Sequence, residues 1–178
     1  MNIERHEEER RYDESAAQES KTLDSSVLEQ PVRSLHRKEA VRVAPDDDLL
    51  VTVQRMVEKH QGCAVVVEAG RVVGIFTERD ALTRVVAKGM VASQAKVKDV
   101  MTRDPERLSL DDTLGYALHK MSVGGFRHIP VVDGDGEPAG VISQREAVQY
   151  LVGFFPEEVI NQPPRSVTQA PPRSQHGG

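Results

Sequence analysis

The chain contains one sequence pattern twice, in the same order and about 65 residues apart. Residues 41–56 align with residues 106–121, so that paired aspartates and helix-spaced apolar side chains coincide. One extra residue in a later turn then aligns GIFTERD (74–80) with GVISQRE (140–146). An ordered series of matches at nearly constant spacing indicates a duplicated structural unit.

Each copy predicts the element order β-α-β-β-α. In the first copy, a short extended piece precedes apolar residues at helical spacing from Leu49 to Val57. Two β-branched runs follow around a turn that contains glycine, and a second helix begins near Glu78. We expect the aspartates before each first helix to cap it. The predicted fold class is therefore α+β, with two such units packed in pseudo-two-fold symmetry and clefts where they meet.

Composition divides the chain into four segments. The hydrophobic content of 38% is below the roughly 45–50% of globular chains, which indicates polar tails around an ordinary core. We expect residues 1–38 to form a charged, disordered N-terminal tail, and the Pro-rich residues 156–178 to form a second disordered tail. The first repeat then occupies residues 39–92, and the second repeat with its connector occupies residues 93–155.

Composition also narrows the function classes. No apolar run approaches the ~18–20 residues of a membrane span, and no signal peptide is visible, so we expect a cytoplasmic protein without membrane contact. The net charge of -5 and the aromatic content of 4% argue against a nucleic-acid binder. The single cysteine excludes an internal disulfide. No nucleophile–base pair and no metal-ligand spacing is present, so we expect neither an enzyme nor a metal site.

One hydroxyl–carboxylate pair ends the repeated motif in each copy. Thr77 lies at the predicted helix N-cap beside free amides that suit a phosphate, and Asp80 follows one turn later on the same side. Two interpretations stay open, because such a pair either caps the helix or faces a ligand. The second copy has Ser143 and Glu146 instead. Glutamate is one methylene longer and completes an ideal capping box, so this copy is the weaker candidate site.

The repeated units together resemble the CBS domain pair, or Bateman module. The resemblance covers about residues 39–152, and its carriers are VRVAPDDDL, CAVVVEAGRVVGIFTERD, VKDVMTRDPERLSLDDTL and FRHIPVVDGDGEPAGVISQRE. It implies a stand-alone regulatory module, often a homodimer, that binds an adenosine-containing ligand between the repeats. The ligand expected is AMP, ADP, ATP or NAD, as a regulator and not as an obligatory cofactor. In the family, the aspartate matching Asp80 accepts hydrogen bonds from ribose, and the residue matching Thr77 contacts ribose or phosphate.

Two cationic residues occur in only one copy. Arg127 and His128 precede the second copy's IPVVD strand, whereas Gly62 and Cys63 hold the matching positions in the first copy. We expect Arg127 and His128 to bind phosphate, as similar pairs do in some CBS pairs. The alternative is a solvated arginine and a histidine packed at the sheet edge. The glycines that precede this pair, Gly124 and Gly125, are expected to let the backbone approach a ligand closely.

The function favoured by these features is signal transduction by ligand sensing. An adenine nucleotide would bind between the repeats, and an unidentified protein effector would respond to it. The alternative is a constitutive dimeric scaffold whose clefts stay empty and whose tails capture a partner.

Overall fold

The fold is described from a computed structural model that covers residues 25–35 and 39–154. Within these residues the order β-α-β-β-α occurs twice, which confirms the α+β prediction. The first repeat contains β1 (Val41–Val43), α1 (Leu49–Glu58), β2 (Cys63–Glu68), β3 (Arg71–Thr77) and α2, a continuous helical run through Glu78–Asp80, Ala81–Val85 and Val86–Lys88. The remaining elements are α3 (Val97–Val100), β4 (Thr102–Arg103), β5 (Leu108–Ser109), α4 (Leu114–Gly124), β6 (His128–Val132), β7 (Pro138–Ser143) and α5 (Gln144–Val152).

The two sheets share one pairing pattern. In the first sheet the order is β1-β2-β3-β4, and in the second it is β5-β6-β7. The first strand of each is parallel to the next, and each following hairpin is antiparallel. A register irregularity falls between Val66 and Val67 in one hairpin and between Val131 and Val132 in the other. The offset between these irregularities equals the sequence offset, so the duplication extends to backbone detail.

The hydrophobic core packs helices against each sheet and also packs the two sheets against each other. One cluster lies within each repeat, and its strand side chains are mostly β-branched, as a packed sheet surface favours. A third cluster packs Val65 and Ile75 of the first sheet against Val141 of the second. The repeats therefore meet sheet to sheet, which is the arrangement that leaves clefts at the ends of the strands. No helix in the described part of the chain is long and apolar enough to cross a membrane.

Residues 25–35, here called the N-terminal strap, pack on the second repeat. This differs from the expectation that residues 1–38 form a disordered tail, because Val27, Val32 and Leu35 are buried in the core of the second repeat. The first amides of a helix lack partners within the helix, and the strap supplies carbonyl acceptors for two of them at the start of α4. Residues 1–24 and 36–38 of the predicted N-terminal tail, and the whole predicted C-terminal tail of residues 156–178, lie outside the described residues.

The connector, residues 95–103, makes on the first repeat the contacts that the strap makes on the second. Leu49 N donates to Ala95 O (3.1 Å) in the first repeat, as Leu114 N donates to Gln30 O (2.9 Å) in the second. Likewise, Val97 N donates to Asp47 O (3.1 Å), and Val32 N donates to Asp112 O (2.7 Å). The matched ion pairs are Lys98 with Asp46 and Arg33 with Asp111. Each repeat is thus completed by the segment that precedes the other repeat in the sequence.

The aspartates before α1 and α4 do not cap these helices with their side chains, contrary to expectation. Asp48 holds the N-cap position of α1, but its carboxylate pairs with Lys96 at 2.6 Å. The cap of α4 is Thr113, whose hydroxyl accepts from Tyr116 N at 3.2 Å. The neighbouring aspartates bond to the turns that precede the helices. Asp47 accepts a hydrogen bond from Ala44 N at 2.9 Å, and Asp112 accepts one from Ser109 N at 2.7 Å. An aspartate carboxylate can satisfy a free backbone amide either in a turn or at a helix N-terminus, and in this protein Asp47 and Asp112 bond to the turn.

Candidate functional site

A cavity of about 270 Å³, here called the Asp80 cleft, opens where the two repeats meet. Thr77 and Asp80 line it from the first repeat, and Arg127 and His128 line it from the second. The structure therefore brings together all four residues for which the sequence predicts ribose and phosphate contacts. They come together because β3 and β6 place their ends at the same edge of the packed sheets.

A second cavity, the Glu146 cleft, has a volume of about 520 Å³. Ser143 and Glu146 line it, as the weaker predicted pair. The two clefts are adjacent and share one wall. The shared residues are Gly62, Glu78, Arg127 and His128. The phosphate-binding candidates therefore face both clefts, although each cleft has its own hydroxyl–carboxylate pair.

Thr77 and Asp80 form a complete capping box. One carboxylate oxygen of Asp80, Oδ2, accepts from Thr77 N at 2.9 Å and from Thr77 Oγ1 at 2.7 Å. In return, Asp80 N donates to Thr77 Oγ1 at 3.2 Å. A carboxylate offers about four acceptor positions, so capping leaves the other oxygen for further contacts. Both interpretations of this pair, capping and ligand contact, are compatible with its geometry.

Arg84 is a site residue that the sequence analysis missed. Its Nε lies 3.2 Å from Asp80 Oδ1, one helical turn later in α2. The guanidinium also donates to the connector, from Nη1 to Val100 O (2.9 Å) and Met101 O (2.6 Å) and from Nη2 to Thr102 Oγ1 (3.0 Å). An arginine four residues after an aspartate in a helix is a recognisable signal for such a pair.

Ser143 and Glu146 in the second repeat form the same capping box. Ser143 N donates to Glu146 Oε2 at 2.7 Å, and Glu146 N donates to Ser143 Oγ at 3.3 Å. Glu146 is as buried as Asp80, and its longer side chain folds back on the helix start while still lining the cleft. The position that matches Arg84 is Tyr150, whose ring packs edge-on against Phe154 at 5.2 Å. The two clefts are chemically unequal.

Arg127 and His128 lie where β6 begins. His128 pairs across the sheet with Ser143, and Arg127 O accepts from Gln144 N at 2.9 Å. The Arg127 side chain is exposed, and its guanidinium makes no hydrogen bond or ion pair with the described residues. His128 is half-buried and reaches the first repeat, where a Cβ atom on Gly62 would lie 3.1 Å from its Nε2. Glycine at position 62 leaves the space that this imidazole occupies.

The start of α2 has fewer free amides than expected. Glu78 N donates to Gly62 O at 3.0 Å, and Asp80 N is bonded to Thr77. Two of the first three helix amides therefore already have partners. A phosphate in this cleft would depend on the Arg127 guanidinium more than on the helix terminus.

Gly124 and Gly125 line the Asp80 cleft, so the expectation that they let a ligand approach the backbone stays a prediction, and both also serve the local fold. A Cβ atom on Gly124 would lie 2.0 Å from Cε1 of Phe126, so this glycine makes room for that ring. Gly125 ends α4 with φ of 66°, and its carbonyl accepts from Arg79 Nη1 at 2.7 Å. The half-buried Phe126 ring is an apolar wall of the Asp80 cleft that sequence analysis did not identify.

Cys63 lines the Glu146 cleft but is 3% exposed. Burial, with the nearby carboxylates of Glu146 and Glu78, raises the pKa of its thiol to about 12.

We expect iodoacetamide at pH 8 to leave Cys63 unmodified in the folded protein and to alkylate it in urea, as followed by mass spectrometry, because the thiolate is the reactive form. Since the folded state keeps the proton that the unfolded state loses near pH 9, stability should fall above pH 9 less steeply in Cys63→Ala. Rapid alkylation of the native protein would contradict this.

The sequence profile of the CBS domain matches the chain twice, over residues 32–87 and 97–153. The chain belongs to the CBS domain family. Each CBS match begins at an equivalent valine, Val32 in the strap or Val97 in the connector. A CBS repeat in this chain therefore starts with the segment that packs on the other repeat.

Relatives of this CBS pair occur in plants, bacteria and archaea. The CBS domain-containing protein CBSCBSPB1 of Arabidopsis thaliana is 40% identical over 102 residues, which is 57% of this chain and 19% of that protein. The CBS-domain containing protein ATU1752 from Agrobacterium tumefaciens has a solved structure with 33% identity and a TM-score of 0.61, covering 67% of this chain and 98% of that one. The CBS domain protein PAE2072 from Pyrobaculum aerophilum, solved in complex with AMP, has 22% identity and a TM-score of 0.61, covering 70% of this chain and 99% of that one. The chain thus spans about a fifth of the length of its plant relatives.

Proposed function

We propose that this CBS pair is a regulatory module that binds an adenine nucleotide in the Asp80 cleft and signals its occupancy to a partner protein. The observation that carries the proposal is that Thr77, Asp80 and Arg127 line one cavity. A hydroxyl and a carboxylate suit the two ribose hydroxyls, and an unpaired guanidinium suits a phosphate. The AMP held by the Pyrobaculum aerophilum protein, which has the same fold, supports this ligand class.

The Asp80 cleft is favoured over the Glu146 cleft for an electrostatic reason. Arg84 lies 3.2 Å from Asp80 and adds a second guanidinium to the lining of this cleft, where a nucleotide would carry its phosphate. Both carboxylates accept from the amide of their cap residue, but α5 carries Tyr150 where α2 carries Arg84. Ser143 and Glu146 are therefore proposed as a weaker second site that shares Arg127 and His128 with the first.

Signalling requires that the ligand bind one arrangement of the protein better than another. The described residues offer a surface on which such an arrangement can be formed with a second copy or an effector. Large apolar side chains are exposed on α2 and α4, among them Leu82 (63%), Val86 (69%) and Val123 (75%). Several exposed large apolar side chains on a helix are typical of protein contacts, and we include homodimer formation in the proposal.

The proposal is tested by calorimetric titration with AMP, ADP, ATP and NAD. We expect binding by at least one of them, and a matched pair of variants then identifies the cleft. Asp80→Asn and Glu146→Gln each remove one charge and keep the size of a capping side chain. Asp80→Asn should weaken AMP binding by about tenfold or more, since a hydrogen bond to a charged group contributes about 1.5–3 kcal/mol. Glu146→Gln should weaken it by less than about threefold.

Two results would overturn the proposal in different ways. An equal loss of affinity in both variants would contradict the assignment to the Asp80 cleft. No binding by any nucleotide would contradict the ligand-sensing function itself. If the melting temperature and dimer content also fail to change with nucleotide, the same exposed apolar surface would support the alternative, a constitutive dimeric scaffold.

A further inference from the structure

Arg84 stands between the proposed ribose-binding carboxylate and the connector. We propose that Arg84 is a positioning residue that couples Asp80 to the connector, so that ligand capture at Asp80 loosens the connector. The inference rests on the proposed function, because it takes the Asp80 cleft to be the ligand site. It adds the route by which an occupied cleft changes another part of the molecule.

The contacts of one guanidinium define this route. Arg84 Nε lies 3.2 Å from Asp80 Oδ1, and the side chain of Asp80 is 11% exposed. The remaining nitrogens donate to three connector acceptors, which are Val100 O, Met101 O and Thr102 Oγ1 at 2.6 to 3.0 Å. Lysine cannot make this set of contacts, because its donors radiate from one nitrogen, whereas arginine spreads them across a plane. Arg84 thus holds a ligand-facing group with one edge and the connector with the other.

The local structure of α2 is specific to this arrangement. Residues Ala81–Val85 form a π-helical turn, which inserts an extra residue and shifts the side chains that follow. The equivalent helix α5 is α-helical throughout Gln144–Val152 and carries Tyr150 in the matching place. Such turns are rare and occur frequently at functional sites. The first repeat and its connector contain the π turn, Arg84 and the paired strand β4. The described residues of the second repeat contain no counterpart of these three features.

The connector depends on Arg84 for part of its order. Its strand β4 has two residues, paired with β3 through Gly74 and Ile75. Met101, just before β4, is 7% exposed, so its carbonyl is largely shielded from water and needs a donor from the protein. Arg84 Nη1 supplies that donor at 2.6 Å. Loss of this contact leaves a short strand with an unsatisfied carbonyl at its start.

Ribose competes with Arg84 for the same carboxylate. Of about four acceptor positions on Asp80, two are taken by Thr77 and one by Arg84. A ribose diol brings two donors, one more than the remaining position accepts. The contact with Arg84 is the longest of the three, at 3.2 Å against 2.9 and 2.7 Å. We therefore expect ribose to displace Arg84 from Asp80 and to change its hold on the connector.

Hydrogen–deuterium exchange of the full chain, read by mass spectrometry, tests this coupling. Without ligand, Arg84→Met should speed exchange in peptides from residues 97–104 by about tenfold or more. The control is Lys88→Met, which removes the same charge from an exposed position at the end of the same helical run and should leave these peptides unchanged. AMP at saturation should speed exchange in the wild-type connector and produce no further change in Arg84→Met. Unchanged exchange of the wild-type connector with AMP bound would overturn the proposal.

The coupling and the proposed function fail in distinguishable ways. If AMP does not bind the wild type, the ligand assignment is wrong, but Asp80→Asn without ligand still tests the link from Asp80 through Arg84 to the connector. That variant should speed exchange at residues 97–104, and unchanged exchange there would overturn the link. Arg84→Lys keeps a charge near Asp80 and guards against misfolding of Arg84→Met. It should speed connector exchange while peptides from β6 and β7 exchange as in the wild type, and a fully protected connector in Arg84→Lys would contradict the role of the guanidinium.

Discussion

Replacing Val32 with aspartate is expected to destabilise the whole protein severely by disrupting the core of the second repeat. Val32 is 0% exposed and packs in the core with Leu114 and Ile129, although it belongs to the N-terminal strap. A charge in this position has no partner in the apolar cluster, and such burial costs several kcal/mol. Domains of this kind have about 5–15 kcal/mol of total stability, so this one substitution removes a large share of it. Urea denaturation followed by circular dichroism measures the loss.

Two control variants show whether the effect comes from the strap. Val97→Asp changes the equivalent connector residue, which is also 0% exposed, and should destabilise the protein to a similar extent through the core of the first repeat. Val91→Asp introduces the same charge at a side chain that is 54% exposed, and should change stability by less than about 0.5 kcal/mol. If Val32→Asp unfolded at the same urea concentration as Val91→Asp, the strap would contribute nothing to the fold.

Arg127→Met is expected to abolish the preference of the cleft for phosphate. In the wild type, AMP should bind more tightly than adenosine by about tenfold to a hundredfold, since contacts with charged groups contribute about 1.5–3 kcal/mol. The exposed Arg127 guanidinium has no partner among the described residues, so it is the cation most available for a phosphate. Arg127→Met should bind AMP and adenosine equally, as measured by calorimetry at one salt concentration.

The adenosine measurement separates a phosphate contact from a structural role. Arg55→Met, which removes an exposed arginine from α1, should keep the wild-type preference for AMP. A loss of both ligands in Arg127→Met would mean that Arg127 shapes the cleft and does not bind phosphate. An unchanged preference in Arg127→Met would place the phosphate elsewhere.

The repeated elements could be predicted because their signal is local. Apolar spacing in α1 and β-branched runs in β2 and β3 reflect which face of each element is buried. The strap was missed because it is short and lies in a segment of high charge. Its signal was nonetheless present, since the same offset of 65 residues aligns QPVRSL (30–35) with AKVKDV (95–100). Extending the repeat backwards would have paired Val32 with Val97 and predicted that both are buried.

The candidate site was predicted in part, for reasons of chemistry. Thr77 and Asp80 stand out because side-chain type and spacing limit what they do, and Arg127 stands out because its copy in the first repeat is a glycine. Arg84 was missed because two of its connector contacts are backbone carbonyls, which every residue type carries. These acceptors lie 16 and 17 residues away in the chain, so only the packed structure brings them to the guanidinium.

The strap packs on the second repeat and the connector packs on the first, so each repeat depends on a segment that precedes the other. A single half, produced by itself from residues 30–94, would carry its own leading segment with no surface in the same half to receive it. Two such halves related by a two-fold axis would each fill the groove left open in the other, as in a domain-swapped dimer. The intact chain then corresponds to that dimer joined end to end, and its halves should unfold in one cooperative transition instead of two.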